Sequence, residues 1–288
     1  MALLRRTALG DVVLLGAVTG SLGNVTVVTH PRWVEVAARL RGVREVVAWP
    51  DRPIELAVDR VVDLQANPRS LALCARQHVP VGRIRGRPLL RRLKVFWGIG
   101  PGRPPVPDLY AEAAGVAVAP RPWFDLPVLP RDTLLVAPGA SWAPKRWSPD
   151  RFAAVARAWD GPVVVVGSGA EAELVNQIVS DVPGSVAAAE DGFAAAWTWL
   201  PRTRVALTND SGWMHLAGAA GAPVVAIFGP TSTADGFAVH PGTVIERSVS
   251  CRPCALHRVA HCRVGTLACL DHAVDDVIAA VFQCAASS

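Results

Sequence analysis

Eight consecutive residues, Thr208-Asn209-Asp210-Ser211-Gly212-Trp213-Met214-His215, put a carboxylate, a hydroxyl, a glycine and an imidazole into one short polar turn. The run LAGAAGAPVVAIFGPTS follows at residues 216–232 and reads as a small-residue helix, a stop at Pro223 and a buried strand. Asp210 takes the N-cap position in this reading, and Ser211 and Gly212 present backbone N–H groups at the helix start. The first-turn donors of a helix have no partner inside it, and the helix dipole is positive there. A phosphate or another anion belongs at such a place. Without that chemistry the same residues are an ordinary capped helix of an α/β domain. Gly218 and Gly221 are expected to let the helix lie close to a sheet.

Other strand-end loops carry groups of the same kind. TLLVAPG (133–139) runs into ASWAPKRWSP, where Gly139 permits a tight turn, Ser141 offers a hydroxyl and Lys145 offers a mobile cation suited to a diphosphate. A plain surface lysine is the simpler reading, but Trp142 and Trp147 flank it. Glu171 follows the strand VVVVGSG, and an acid at such a strand end bonds ribose hydroxyls in nucleotide-binding α/β folds. In the first half, Leu9-Gly10-Asp11 follows the first strand. A carboxylate beside a glycine turn is a candidate general base, or simply a helix N-cap. Asp63, on another strand, is the second candidate for the base.

These groups need elements to hold them, and the chain alternates apolar strands with helices throughout. VTVVTH, VREVVAW and RVVDLQA read as strands of a first half, with WVEVAARL and a segment ending near Cys74 as helices. A long stretch rich in Pro, Gly and Arg runs on to residue 107, and YAEAAG is a short helix. The second half restarts at residue 133. It holds the helix SPDRFAAVARAW, with Ser148 as cap and Pro149 at its first position, and the strands GPVVVVGSG, SVAAA, RVALTND and VVAIFG. Alternation of this kind implies parallel sheets with right-handed crossovers. The irregular, proline-rich segment 120–132 is the expected linker, giving two Rossmann-like domains, residues 1–125 and 126–288, facing across a cleft. The last helix, VDDVIAAVF, completes the second domain or packs back on the first.

Composition bounds the class. At 288 residues with 51% hydrophobic content the chain has material for a sizeable core. It contains no apolar stretch of about 20 residues, so no membrane-spanning helix is expected. The N-terminus resembles a signal peptide only superficially, since Asp11 interrupts the apolar run; a cytoplasmic protein is expected. Charge is uneven. Residues 1–125 hold 18 Lys and Arg against 10 Asp and Glu, and the remainder 11 against 14. The densest basic run, RIRGRPLLRRLK, carries Arg83, Arg85, Arg87, Arg91, Arg92 and Lys94 without an acid. It is a solvated face or a groove for an anionic or polyhydroxylated acceptor. No aromatic residues interleave within it, so nucleic acid is not the expected partner. Cys251, Cys254, Cys262 and Cys269, with His257, His261 and His272 nearby, form a C-x2-C-x7-C-x6-C pattern open to metal, disulfide or buried-thiol readings. Cys74 stands apart, and Cys284 follows the cluster.

In order along the chain, the motifs resemble those of glycosyltransferase family 9, the ADP-heptose:lipopolysaccharide heptosyltransferases. RRTALGDVV is similar to the family's R-x-x-x-L-G-D-V, VVDLQANPRS to D-L-Q-x-x-x-R-S, and PGASWAPKRWSPDRFA to P-G-x-S-x-x-x-K-x-W-P-x-x-x-F. GSGAEAE is similar to G-x-x-x-E, and TNDSGWMHLAGAAGAPVVAIFGPTS to the family's longest signature. The cysteine segment also resembles one common there. The resemblance implies a GT-B fold and an inverting, metal-independent transfer of a sugar, a heptose by family, from a nucleotide-sugar donor such as ADP-heptose, with no cofactor. It implies Asp11 as general base, Ser141 and Lys145 on the diphosphate, Glu171 on ribose, Asp210 on the sugar, Ser211 and Gly212 on the phosphates, and His215 near them. Arg83, Arg85, Arg87, Arg91 and Arg92 are the expected acceptor contacts. The segment Val12–Asn24 is more compact than the family's, which points to another glycan or a natural product as acceptor. A lipid-linked acceptor would bring peripheral membrane contact. A nucleotide-sugar epimerase and a non-catalytic sugar-nucleotide-binding protein share the fold and are the alternatives.

Overall fold

The computed structural model describes residues 1–287 apart from 53, 54, 86, 87, 98, 100–102, 190, 191, 238, 239 and 257–259. It divides into two compact units, Met1–Leu89 with Arg103–Asp125, and Leu90–Gly102 with Leu126–Ser288.

The first unit runs β1 (Ala2–Leu4), α1 (Leu9–Val13), α2 (Gly16–Leu22), β2 (Val25–Thr29), α3 (Val34–Ala38), β3 (Val43–Ala48), β4 (Val61–Asp63), α4 (Pro68–Cys74) and β5 (Val81–Arg83). Then α5 (Pro88–Trp97) crosses the division between the units, and α6 (Val106–Ala114) returns to the first. The five strands form one parallel sheet in the order β3-β2-β1-β4-β5. β1, β2 and β4 are buried along their whole length, while the edge strands β3 and β5 are partly exposed. A parallel sheet covered on both faces needs continuous apolar runs in its central strands, not alternation, and ALL, VTVVT and VVD supply them.

The second unit runs β6 (Thr133–Ala137), α7 (Pro149–Arg157), β7 (Val163–Val166), α8 (Ala172–Ser180), β8 (Val186–Ala188), α9 (Phe193–Trp199), β9 (Thr203–Asn209), α10 (Gly212–Ala219), β10 (Val224–Phe228), β11 (Gly242–Glu246) and α11 (Val274–Ala286). Its six strands are all parallel, in the order β11-β10-β9-β6-β7-β8. Val136, Val165, Leu207 and Ile227 from these strands pack with Phe152 of α7, Val175 of α8 and Val277 and Val281 of α11 in one core. α11 lies against α7, β9, β10 and β11, so the last helix completes the second unit.

Both sheets are wound the same way. The chain starts in the middle, runs to one edge, then returns to the other side of its starting strand. The order therefore reverses between β1 and β4 in one sheet and between β6 and β9 in the other. At such a point the loops leaving the carboxyl ends of the two strands diverge and open a crevice, which is where ligands bind in open α/β sheets. Ser141, Lys145, Asp210 and Ser211 of the expected site residues follow the carboxyl ends of β6 and β9. Sequence reading passed over β5, α5 and β11. VGR is too short to show a period, and the basic segment around residue 90 reads as irregular because of its Pro and Gly content.

Candidate active site

At the switch point of the second unit, the loop after β6 meets the loop after β9. The Lys145 ammonium lies against the Asp210 carboxylate, which also accepts a hydrogen bond from the Thr231 hydroxyl at 2.7 Å. Both members of the ion pair are largely buried. Burial works against the Asp210 charge, but Lys145, Thr231 and His215 outweigh it and hold the carboxyl below its ordinary value. Asn209 ties the same two loops together: its side chain accepts from the Trp147 N–H (3.1 Å) and donates to the Pro138 carbonyl (2.7 Å). Trp147 is a core residue, packed edge-on against Phe152 at 5.2 Å, so its place beside Lys145 in the sequence reflects packing. Ser148 precedes α7 as expected but makes no side-chain cap bond.

The N-cap of α10 is Ser211 and not Asp210, which lies one residue earlier and is taken up by Lys145 and Thr231. Ser211 makes no capping bond, and its buried Oγ has no hydrogen-bond partner. Gly212 opens the helix. A hydroxyl without a partner beside unpaired first-turn N–H groups is a set of donors for an anion. His215, one turn on, is buried, and its Nδ1 lies 2.9 Å from His240 Nε2. Sequence reading missed His240 because it lies 25 residues away, with no motif around it. Gly218 is what admits it: a Cβ there would stand 2.1 Å from the His240 ring. The glycine thus serves the histidine pair. Gly221, at φ +84°, holds the left-handed turn after the helix.

Glu171 follows β7, and its carboxylate accepts from both the N–H and the hydroxyl of Ser168, each at 2.9 Å. It lies over Gly139, where a Cβ would be only 2.1 Å from Oε1. Arg146, bonded to the Ala140 carbonyl at 3.0 and 2.8 Å, stands 4.0 Å from the other side of that carboxylate. Ser141 is exposed on the same loop.

In the first unit, Asp11 lies in the first turn of α1, and Gly10 is helical and not part of a separate turn. The Asp11 carboxylate accepts from the Ala8 N–H at 2.9 Å and pairs with Arg5 at 2.5 Å. Asp11 therefore does bond the start of its own helix, and the ion pair adds a second hold. Arg5 in turn donates to the Leu64 carbonyl across the β1–β4 switch point. Burial would lower the Arg5 pKa, but the charges of Tyr110 and Asp11 raise it well above the usual value. Tyr110, the chain's single tyrosine, reaches Asp11 from α6 with its Oη 3.5 Å from Oδ1, and burial raises its phenol pKa. The chain around Tyr110 reads only as a helix, so its role was not visible in sequence. Asp63, the second candidate base, is fully buried. It accepts from Gln65 N, Ala66 N and the Ser70 hydroxyl at 2.8–3.0 Å and from Arg83 at 3.3 Å. It holds the loop after β4 together.

Arg83 is bound to Asp63, Arg85 and Arg92 are exposed, Arg91 lies within α5, and Arg87 is outside the described residues. A cavity of about 520 Å³ opens elsewhere in the first unit, lined by Arg6, His30, Trp49, Asp51 and Arg69 among others. Cys251, Cys254, Cys262 and Cys269 do converge, around a cavity of only about 20 Å³ beside Pro144 and Pro230. All four are free thiols. Burial pushes the Cys254 and Cys269 thiols up, while backbone N–H groups of Leu267 and Val264 pull Cys262 down. Among the described residues no three His, Cys, Asp or Glu side chains are grouped to hold a metal ion. His257 is outside them.

Each unit is a doubly wound, Rossmann-like parallel sheet with charged side chains meeting at its switch point. The model of glycosyltransferase family 9 (heptosyltransferase) matches residues 108–265, more than half of the chain. The chain belongs to this family and is a glycosyltransferase. Among solved structures it is similar to a family 9 glycosyl transferase from Veillonella parvula, at 17% identity and a TM-score of 0.74 over 100% of this chain and 97% of the other. It is similar to the E. coli ADP-heptose lps heptosyltransferase II at 18% identity and a TM-score of 0.70 over 99% and 98%. It is also similar to the E. coli heptosyltransferase WaaC with ADP-2-deoxy-2-fluoro heptose, at 15% identity and 0.61 over 80% and 89%. At these identities the likeness is one of fold, that of GT-B-like heptosyltransferases. No curated protein sequence matches the chain.

Proposed function

We propose that this glycosyltransferase is an inverting, metal-independent cytoplasmic enzyme. It moves a sugar, a heptose by family, from a nucleotide-diphosphate donor to a hydroxyl of a glycan or small natural product. The observation that carries this reading is the meeting of Lys145 and Asp210 at the β6–β9 switch point, beside the unpartnered Ser211 hydroxyl at the start of α10. The diphosphate lies against the first-turn N–H groups of α10, and Lys145 neutralises it as it leaves. The sequence has no D-x-D motif to chelate a metal for that task. Asp210 positions Lys145 and faces the sugar, His215 stands behind the phosphates, and Glu171 takes the ribose hydroxyls. ADP-2-deoxy-2-fluoro heptose in the structure of WaaC favours a donor of this class.

On the acceptor side, the attacking hydroxyl gives its proton to Asp11 as its oxygen bonds the anomeric carbon. The bond from that carbon to the diphosphate breaks on the opposite face, so the configuration inverts. Arg5 and Tyr110 hold Asp11 for that step. The cavity with Arg6, His30, Trp49 and Arg69 offers cations and an aromatic platform to an anionic or polyhydroxylated acceptor. The test is a thermal-shift series with ADP-, GDP-, UDP- and dTDP-sugars. A ligand at about 100 times its dissociation constant adds about 2.7 kcal/mol. One nucleotide is expected to stabilise the protein. Lack of a shift with every nucleotide sugar sinks the donor assignment, and sugar turnover without an acceptor favours the epimerase alternative.

A further inference from the structure

The contact between His215 and His240 is built into the fold from both sides. On α10, Gly218 clears the ground, since a Cβ there would stand 2.1 Å from Cγ and 2.2 Å from Nδ1 of the His240 ring. Phe237 packs edge-on against the His215 ring with centroids 6.0 Å apart, and the His240 ring meets it at 5.1 Å. The two rings join through His215 Nδ1 and His240 Nε2 at 2.9 Å. His215 is buried and His240 is half-buried. Positions 215 and 218 share a face of the helix, because residues three apart are neighbours there. His240 fills the place of a side chain at 218, so it approaches His215 from the C-terminal side. The opposite edge of the His215 ring, with Nε2, is on the side of the helix start, toward which helical side chains lean. His215 is also close enough to Asp210 to help hold that carboxyl down.

A hydrogen bond between two imidazole nitrogens holds one proton on the shared edge. The pair is then neutral or carries one added proton, because two added protons would set two N–H groups face to face. Burial favours neutral rings. Among the described residues, three other influences oppose a charge on the pair. They are Lys145, the positive end of α10, and Arg131, bonded to the Ala220 carbonyl at the far end of that helix. Asp210 favours the charge, and a second buried carboxylate, Asp235, precedes His240 by five residues. A diphosphate at the helix start tips this balance, since it brings negative charge next to His215. A protonated His215 then needs an acceptor for its Nδ1–H. We propose that His240 is a positioning residue for the donor: its Nε2 accepts from His215 Nδ1 and so lets His215 take up a proton as the diphosphate binds. The proton comes from solvent. The bound enzyme holds it more tightly than the free enzyme does. Binding is therefore strongest below the pKa of the free enzyme, and the gain is lost as pH rises through that of the bound enzyme. The inference rests on the donor site proposed above.

The test is isothermal titration of the full chain with ADP-glucose, GDP-mannose and UDP-glucose, whose diphosphate diesters have no group that titrates near neutral pH. The tightest binder is carried through a series from about pH 6 to about pH 8, around the ordinary histidine value. Each titration is run in two buffers of different ionisation enthalpy, so that proton uptake is read from the heat. A rise of about one unit in the His215 pKa gives an uptake of about half a proton at its peak. It also makes binding roughly tenfold tighter at the acid end of the series. His240→Gln keeps an acceptor oxygen and should keep most of the uptake. His240→Leu removes the acceptor and should abolish both the uptake and the pH dependence of affinity. Gly218→Ala keeps both histidines but displaces the His240 ring, and it should reduce the uptake as well. Melting curves check that each variant is folded. Three outcomes overturn the inference and leave the donor site standing: wild-type binding without proton uptake, unchanged uptake in folded His240→Leu, or equal loss in His240→Gln and His240→Leu. Absence of binding by all three nucleotide sugars sinks the donor-site reading and this inference with it.

Discussion

Among the described residues Ala8, Arg5 and Tyr110 hold Asp11, and each hold constrains what the residue does. The Ala8 N–H fixes one oxygen, Arg5 keeps the charge, and Tyr110 approaches the other oxygen. A base must be aimed, and these contacts fix the carboxylate in place. Asp11→Asn keeps the size and the Ala8 bond but loses the basicity. Turnover should fall by at least about 10²-fold with donor affinity little changed, as steady-state kinetics and calorimetry would show. Near wild-type turnover on a true acceptor would remove Asp11 from the chemistry. Lys145 is a different case, because its partner is also buried. Lys145→Ala leaves the Asp210 carboxylate without its cation, at a cost of about 3–5 kcal/mol in stability, besides the loss of the diphosphate contact proposed above. Asp210→Asn in the same chain should restore much of the stability and none of the donor affinity. Melting and calorimetry on the two single variants and the double variant separate these effects through a coupling of about 0.5–3 kcal/mol. Additive effects on stability would mean the ion pair does not operate in solution.

At the scale of elements, the site is made by loops that short strands deliver side by side. Gly139 and Gly167 lie just beyond β6 and β7, and Glu171 uses the room they leave. Gly139→Ala would put a methyl into that carboxylate. The colliding atoms are the end of a flexible side chain, so the helices and strands need not move, and only Glu171 does. Melting temperature should barely change, while nucleotide-sugar affinity should fall about tenfold, the order of one lost hydrogen bond to a charged group. Isothermal titration alongside a melting curve checks the split. A large loss of stability with unchanged affinity would mean that Glu171 merely braces the loop through Ser168.

At the scale of the whole molecule, the tail after β11 is bound to the second sheet by charge as well as by packing. Arg151 and Arg247 pair with Asp271 at 2.9 and 3.0 Å, and Arg151 donates to the His272 carbonyl. His272 is buried there, and burial, followed by Arg247, Arg252 and Arg151, lowers its pKa below the usual 6.5. The folded chain therefore binds the His272 proton less readily than the unfolded chain does. Its stabilising effect is complete above about pH 6.5 and is lost as pH falls below that value. Asp210, whose carboxyl is lowered, loses its effect only further down, below the ordinary carboxylate range. Melting temperature should fall between about pH 7.5 and pH 5.5, and His272→Gln should flatten that fall. An identical slope in the variant would move the effect to another group.

What the sequence by itself determined follows from local rules. Alternating apolar runs and small-residue helices required parallel sheets, because only strands buried on both faces are apolar throughout. The Thr208–His215 run, the Lys145 loop and the Asp11 loop were legible for the same reason, each being a short polar segment at the end of an apolar strand. Partnership was not legible. That Lys145 rests on Asp210, that Arg5 and Tyr110 hold Asp11, and that His240 meets His215 are pairings over 65, 6, 99 and 25 residues. Three of those spans exceed any local rule, and the shortest joins a strand end to a helix start, where no period relates the two side chains. The same holds for Ser211 displacing Asp210 as cap, since the ion pair, a tertiary contact, decided which residue was free. In the basic run, charge says that an anion belongs nearby, and only the structure shows that Arg83 is bound to Asp63.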